Sequence, residues 1–374
     1  MNYLYLFLNK NSRRLHIFGT ITISKLLTLY MRIYFRLSFL IFAAAIWSCN
    51  RNQQTETIDP AEQRKADSLE TIRKAEEEAR KRPRTADDIQ LSKELSYDKH
   101  TLEETYPYQD TTRRFQLDKI KEKLAYVENF QRTPASYAIL QNRKNKNREA
   151  PLVKNYHRNE YKLISDSLGT ERYQAAPLYV VGETEAPTIY GRDGALAKLL
   201  TSDTLDMVQL EGVSFEGTWE TPKRYVRAIG DSVTFHHIAF VDVTNQNILT
   251  AERTGDCEWV IRSMNPATSG VHKPPYAHET PLGIFVVQEK KNKMFYLKDG
   301  TNTIHGYAPY ASRFTNGAYI HGIPTQSVNA SIIEHSWSLG TTPRSHMCVR
   351  NASSHAKFVY DWAKTFNALV IVIE

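Results

Sequence analysis

A mainly β chain with a few helices, of the α+β class, is predicted by three features of these 374 residues. Hydrophobic residues make up 41% and charged residues 24%, enough apolar material to bury a core. Helical periodicity is confined to a few stretches. Beyond about residue 176 the chain instead breaks into short β-rich runs separated by turn residues at sheet-like intervals. With 16 Gly and 15 Pro, the composition excludes collagen-like and linker-dominated architectures. The length suggests two folded units plus appendages.

Residues 1–48 read as a leader. The apolar run Leu37–Trp47 comes after Arg32 and Arg36, as a signal-peptide core comes after its basic region, and is too short to cross a bilayer comfortably. Met31 offers an alternative start. The run ends in Trp47-Ser48-Cys49, similar to a bacterial lipobox, so Cys49 is the expected lipidation site, with export as the consequence. Residues 49–112 read as a polar tether whose acidic and basic residues alternate over Ala61–Arg84 in i,i+4 pairs.

A helical region is expected over 113–176, on the stripe Leu117, Ile120, Leu124 and Val127, which needs a surface to pack on. Residues 177–232 suggest a small β module, either SH3-like by fold analogy or a β-extension buttressing the domain at 233–374. Expected strands include Leu178–Val181, Asp206–Leu210, Arg224–Ile229, Ile238–Val243, Cys257–Arg262, Gly283–Gln288 and Met294–Lys298. The chain closes with an amphipathic helix, Ala356–Phe366, and a buried strand, Ala368–Ile373.

The net charge of +7 invites a nucleic-acid partner, but residues 1–48 hold six Lys or Arg and no acidic residue, leaving +1 for the rest. A nearly neutral body has no electrostatic footprint for a phosphate backbone. Nucleic acid is excluded. Three cysteines, Cys49, Cys257 and Cys348, give no disulfide framework, and Cys257 is expected as a small buried hydrophobe.

Chemistry concentrates in Ala318-Tyr319-Ile320-His321-Gly322 and Ser345-His346-Met347-Cys348-Val349-Arg350. With Val241–Ile248, Ser269-Gly270 and Thr280-Pro281-Leu282-Gly283-Ile284-Phe285 upstream, the segment 233–374 resembles the L,D-transpeptidase (YkuD-type) catalytic domain. The resemblance implies a β-sandwich-like fold and assigns Cys348 as nucleophile and His321 as its base. Gly322 would hold the imidazole tautomer through its carbonyl. Ser345, His346, Met347 and Arg350 would shape the oxyanion site, and Arg313 and Tyr319 would touch substrate. The implied partner is a peptidoglycan stem peptide, at a lipid-anchored position in the bacterial cell envelope. The implied reaction is 3–3 crosslinking with release of D-Ala; an L,D-carboxypeptidase or a non-catalytic peptidoglycan-binding lipoprotein are the alternatives. No cofactor is implied.

The residue types suit that chemistry. A free thiol is only a few per cent ionised at neutral pH, so it needs an adjacent base. Two departures from the family pattern stand out. Met347 occupies a Gly position, where a negative φ is expected of a Met. The span from His321 to Cys348 is 27 residues, and its extra length, including Ser331–Trp337, suggests a lid or groove wall. Ile304-His305-Gly306 repeats the Ile-His-Gly pattern, but Arg313–Tyr319 leads into His321 as in the family. His236, His237, His272, His278 and His335 lack metal-ligand spacing, so no metal site is expected.

Overall fold

The computed structural model describes residues 60–231, 233–298 and 300–374; the leader, Met31 and Cys49 lie outside the described residues. The chain divides into two units, ending and beginning at Lys81 and Arg82. In the first, helix α1 (Pro60–Lys81) is built from strong helix formers and carries the pairs Glu70–Lys74 at 2.9 Å and Glu77–Lys81 at 2.7 Å. Pro83 comes directly after Arg82, and the residue before a proline avoids the helical region.

In the second unit a six-stranded sheet has the order Gln90–Lys93, Glu258–Pro266, Asn247–Gly255, His237–Asp242, Ala368–Ile373, Gly283–Val286. Ala368–Ile373 is buried at every position and pairs parallel with His237–Asp242 and antiparallel with Gly283–Val286. Its unbroken apolar run reflects burial on both faces. Leu369, Ile371 and Ile373 join a core with α2 (Leu117–Gln131), whose Ile120, Leu124 and Val127 form the expected stripe. Ala368, Val370 and Val372 join a second core on the other face, with Phe314, Ile320, Val349 and Val359. That second core is shared with α3 (Ser353–Trp362) and a four-stranded sheet ordered Glu289–Leu297, Ile304–Thr315, Ala318–His321, Val349–Arg350. Two sheets packed through a common core are the sandwich the sequence implied.

Three expectations need correction. The tether expected over 49–112 does not extend to residue 112. Gln90–Lys93 is an edge strand, parallel to Glu258–Ile261, and Thr105–Tyr108 pairs with Thr111–Arg114 in a hairpin. A polar edge strand shows no buried face, so its pattern reads as linker. The region 113–176 holds one long helix and then strands, Ser136–Leu140 the first of them. That strand is fourth in a five-stranded antiparallel sheet ordered Thr218–Pro222, Met207–Gly212, Leu196–Leu199, Ser136–Leu140, Val226–Asp231. The β module therefore does not begin at 177. A five-residue apolar run cannot be told from a piece of helix by periodicity alone.

Candidate active site

The site is assembled by strand pairing. Ala318–His321 lies parallel to the short strand Val349–Arg350, with Ile320 opposite Val349 and His321 opposite Arg350. Side chains alternate across a sheet, so Ile320 and Val349 point into the core while His321, Cys348 and Arg350 share the other face. All three line one open cavity of about 990 Å³. The 27-residue excursion brings the chain back beside its own start, and Ile333, His335, Ser336 and Trp337 of that excursion form part of the cavity wall.

His321 is 3% exposed, and its Nδ1 lies 2.6 Å from the Gly322 carbonyl oxygen. A carbonyl only accepts, so Nδ1 carries the proton and Nε2 is left as the basic nitrogen. Gly322 itself donates to the Pro309 carbonyl at 2.9 Å. A Cβ there would lie 2.6 Å from Ser353 Oγ and 2.8 Å from Pro309 Cγ, so only glycine fits. Burial pulls the His321 imidazole down to about 4, against the Gly322 bond, which favours its proton.

Burial also pushes the Cys348 thiol up to about 11, although a backbone bond from Tyr319 and the Arg350 charge favour the thiolate. The resting pair is thus a neutral thiol and a neutral imidazole. In this state the thiol donates to the Gly317 carbonyl at 3.5 Å, and no hydrogen bond from it to His321 is formed among the described residues.

The turn before Cys348 is fixed from two sides. Ser345 is buried, donates its hydroxyl to the Cys348 carbonyl and its N–H to the Ser269 carbonyl at 3.1 Å. Met347 has φ +74°, contrary to the expected negative value. Its N–H donates to the His278 carbonyl at 2.8 Å, and its carbonyl accepts from Thr280 Oγ1 at 2.9 Å. These two bonds to the 268–280 loop hold a conformation that costs an L-residue about 1–2 kcal/mol. The thioether packs half-buried against the second core, which offsets part of that strain. The Met347 N–H is committed to His278 and is therefore not free for the oxyanion role expected of this turn.

Arg350 is half-buried on the cavity wall, its Nε buried without a hydrogen-bond partner among the described residues. His346 also lines the cavity. Arg313 and Tyr319 do not. Arg313 is 5% exposed and pairs with buried Asp193 and with Glu289 Oε2 at 3.2 Å, while the Tyr319 hydroxyl donates to the same Glu289 oxygen at 3.4 Å. Both are occupied in a buried ion network, which corrects their expected contact with substrate. The resemblance carried the expectation; Tyr319 does share the face of His321 and packs against Cys348, but its hydroxyl is turned to Glu289, and Arg313 is held by the β module's Asp193.

His305 lines the cavity farther from Cys348 along the chain, with Nε2 3.0 Å from Gln326 Oε1. Sequence reasoning missed Tyr296, Lys298 and Gln326 as lining residues, because nothing in their local pattern marks a cavity wall. Cys257 packs in the first core, as expected. Glu128, Asp256 and Cys257 place one ligand atom each within 4.8 Å of one another. However, the Glu128 carboxylate already accepts from Arg253 at 2.7 and 2.8 Å and from Trp259 Nε1 at 2.8 Å. Both lone-pair positions of its Oε1 and one of its Oε2 are thus used, and its charge is matched by Arg253.

Two packed sheets thus bring Cys348, at the entry of one strand, beside His321, at the end of the strand it pairs with. Residues 236–372 match the family model of the L,D-transpeptidase catalytic domain. Among solved structures, the chain is similar to a fused Zn-dependent amidase/peptidase/peptidoglycan-binding domain-containing protein from Clostridium acetobutylicum. The identity there is 17% over 38% of this chain and 53% of that one, with a TM-score of 0.27. It is also similar to an L,D-transpeptidase from Mycobacterium smegmatis, at 18% identity over 48% of this chain and 82% of that one, with a TM-score of 0.30. A third is an L,D-transpeptidase from Mycobacterium tuberculosis, at 19% identity over 45% and 66%, with a TM-score of 0.29. The chain thus spans about half the length of the Clostridium protein. None of the curated proteins compared with the chain matches it.

Proposed function

We propose that this protein is an exported L,D-transpeptidase that forms 3–3 crosslinks in peptidoglycan through a Cys348 acyl-enzyme. The observation that carries the reading is the shared sheet face: Cys348 and His321, from strands 27 residues apart, open into one cavity. The thiol turns from the Gly317 carbonyl toward His321 Nε2 when a stem tetrapeptide fills the cavity. As Cys348 attacks the amide between the third-position diamino acid and terminal D-Ala, its proton passes to Nε2. The C–N bond breaks, His321 returns that proton to the departing amine of D-Ala, and a thioester remains. A side-chain amine from a second stem then attacks the thioester and gives its proton to His321. The sulfur leaves and is reprotonated.

The N–H groups of His346 and Cys348 face the developing oxyanion. Arg350, a half-buried cation on the cavity wall, suits a substrate carboxylate. In the same reading the leader exports the chain, and lipid on Cys49 anchors it at the cell envelope.

Purified protein incubated with stem tetrapeptides should release D-Ala and carry an acyl mass on Cys348, while Cys348→Ala should do neither. His321→Ala should lower the rate about 10²–10⁴-fold, the usual worth of a general base. Release of D-Ala by Cys348→Ala would end the assignment. For the anchor, acyl labelling that persists in Cys49→Ala would remove it.

A further inference from the structure

The cavity wall is not held by the matched domain alone. The excursion residues Ile333, His335, Ser336 and Trp337 line the cavity, and between them Glu334 points away from it, to the segment that precedes the helix α2. His100 Nε2 lies 3.2 Å from Glu334 Oε1, and the His100 ring packs against the His335 ring with centroids 4.7 Å apart. The same Glu334 carboxylate accepts the Ser354 N–H at 3.1 Å and the Ser354 hydroxyl, and the Glu334 carbonyl accepts the Ser353 N–H at 2.8 Å. Glu334 therefore ties the cavity wall to the start of α3 on one side and to His100 on the other.

His100 is itself held firmly. Ser96 and Tyr97 donate to the Arg262 carbonyl at 2.9 and 3.1 Å, Asn265 Nδ2 donates to the Lys99 carbonyl at 2.7 Å, and Leu102 donates to the Met264 carbonyl at 2.9 Å. The Tyr97 hydroxyl reaches Ser354 Oγ at 2.6 Å. Between these anchors His100 takes φ +54°, a conformation that an L-residue keeps only when its surroundings impose it.

We infer that His100, which lies outside the matched catalytic domain, is a positioning residue for the cavity. Through Glu334 and His335 it fixes the 331–337 wall against which the donor stem binds. The inference rests on the cavity being the substrate site proposed above. Neither His100 nor Glu334 touches the reacting atoms, so its effect belongs to binding and not to the chemical step. A glutamine can keep the hydrogen bond to Glu334 and an alanine cannot.

The test uses the full chain, with His100→Ala and His100→Gln. Three readouts apply: deuterium uptake at residues 331–337, KM and kcat for a stem tetrapeptide, and the rate of Cys348 alkylation by iodoacetamide. His100→Ala should speed uptake at 331–337 and raise KM by about tenfold each, the worth of one hydrogen bond to a charged group. The kcat and alkylation rates should stay within about twofold, and His100→Gln should recover most of the loss. Unchanged uptake in His100→Ala overturns the inference, as does a fall in kcat with KM unchanged. Faster uptake spread over the whole second unit also overturns it, because that would be a stability effect. If the wild-type protein turns over no stem peptide, the proposed function fails, and the uptake comparison still decides whether His100 sets this wall.

Discussion

At the residue scale, the proposed nucleophile is unactivated at rest. Many reactive cysteines gain their thiolate from a permanent positive neighbour, but here burial dominates and pushes the Cys348 thiol up to about 11. Its base is likewise neutral, because burial takes His321 down to about 4. Proton transfer must then accompany attack. A raised thiol pKa means less thiolate at any pH below it, roughly one part in ten thousand at pH 7. Alkylation of Cys348 by iodoacetamide without substrate should therefore climb about tenfold per pH unit from 7 to 10. A plateau at pH 7 to 8 would reveal a preformed thiolate–imidazolium pair and contradict this account. The motif led to two residues that do share one cavity, and to the Gly322 carbonyl that holds the imidazole. The φ of Met347 could not be read from the sequence. It is imposed by His278 and Thr280, some 70 residues upstream, and no local pattern encodes a contact of that separation.

At the element scale, the turn before Cys348 depends on the 268–280 loop. Gly270 donates its N–H to Thr280 Oγ1 at 2.8 Å and sits against the turn. A Cβ at Gly270 would come within 2.4 Å of the His278 carbonyl oxygen, 2.7 Å of the Thr280 nitrogen and 2.8 Å of Met347 Cα. All three are backbone atoms and cannot rotate aside. Gly270→Ala should destabilise the protein by about 1–3 kcal/mol, as overpacking does, and lower activity far more than that loss predicts by moving the turn. Wild-type activity in a folded Gly270→Ala protein would show that the turn does not lean on this loop. Elements with a strong one-face or two-face pattern were legible: the α2 stripe, Ala368–Ile373 and His237–Asp242. Gln90–Lys93 and Ser136–Leu140 were not, because one is polar at a sheet edge and the other too short to show a period. Their identity as strands is decided by the strands they join.

At the scale of the whole molecule, two buried neutral histidines add to the loss of stability in acid that the ion-paired Glu279, Glu289 and Glu334 also bring. His321 is held down to about 4, and His355, closed in by Ser263 Oγ at 2.9 Å and Asn351 Oδ1 at 3.0 Å, is held down to about 3. Burial is the main cause in both: His355 is fully enclosed, and His321 shows only a small part of its ring to the cavity. In the unfolded chain each imidazole takes a proton near pH 6.5. Between that pH and about 4 the unfolded state binds protons that the folded state refuses. Each histidine thus contributes stability that is present above pH 6.5 and lost as the pH falls, at about 1.4 kcal/mol per unit. Together they remove about 3 kcal/mol per unit, against a total of some 5–15 kcal/mol for a folded domain. The second unit should lose its fold cooperatively between pH 5 and pH 4, read as a urea midpoint that falls steeply below pH 6.5. His355→Gln, which keeps polar contacts without a titrating ring, should roughly halve that slope while leaving the pH 8 midpoint lower by the lost packing. A urea midpoint that stays level from pH 7 to pH 4.5 in the wild-type protein would mean that water reaches these two rings.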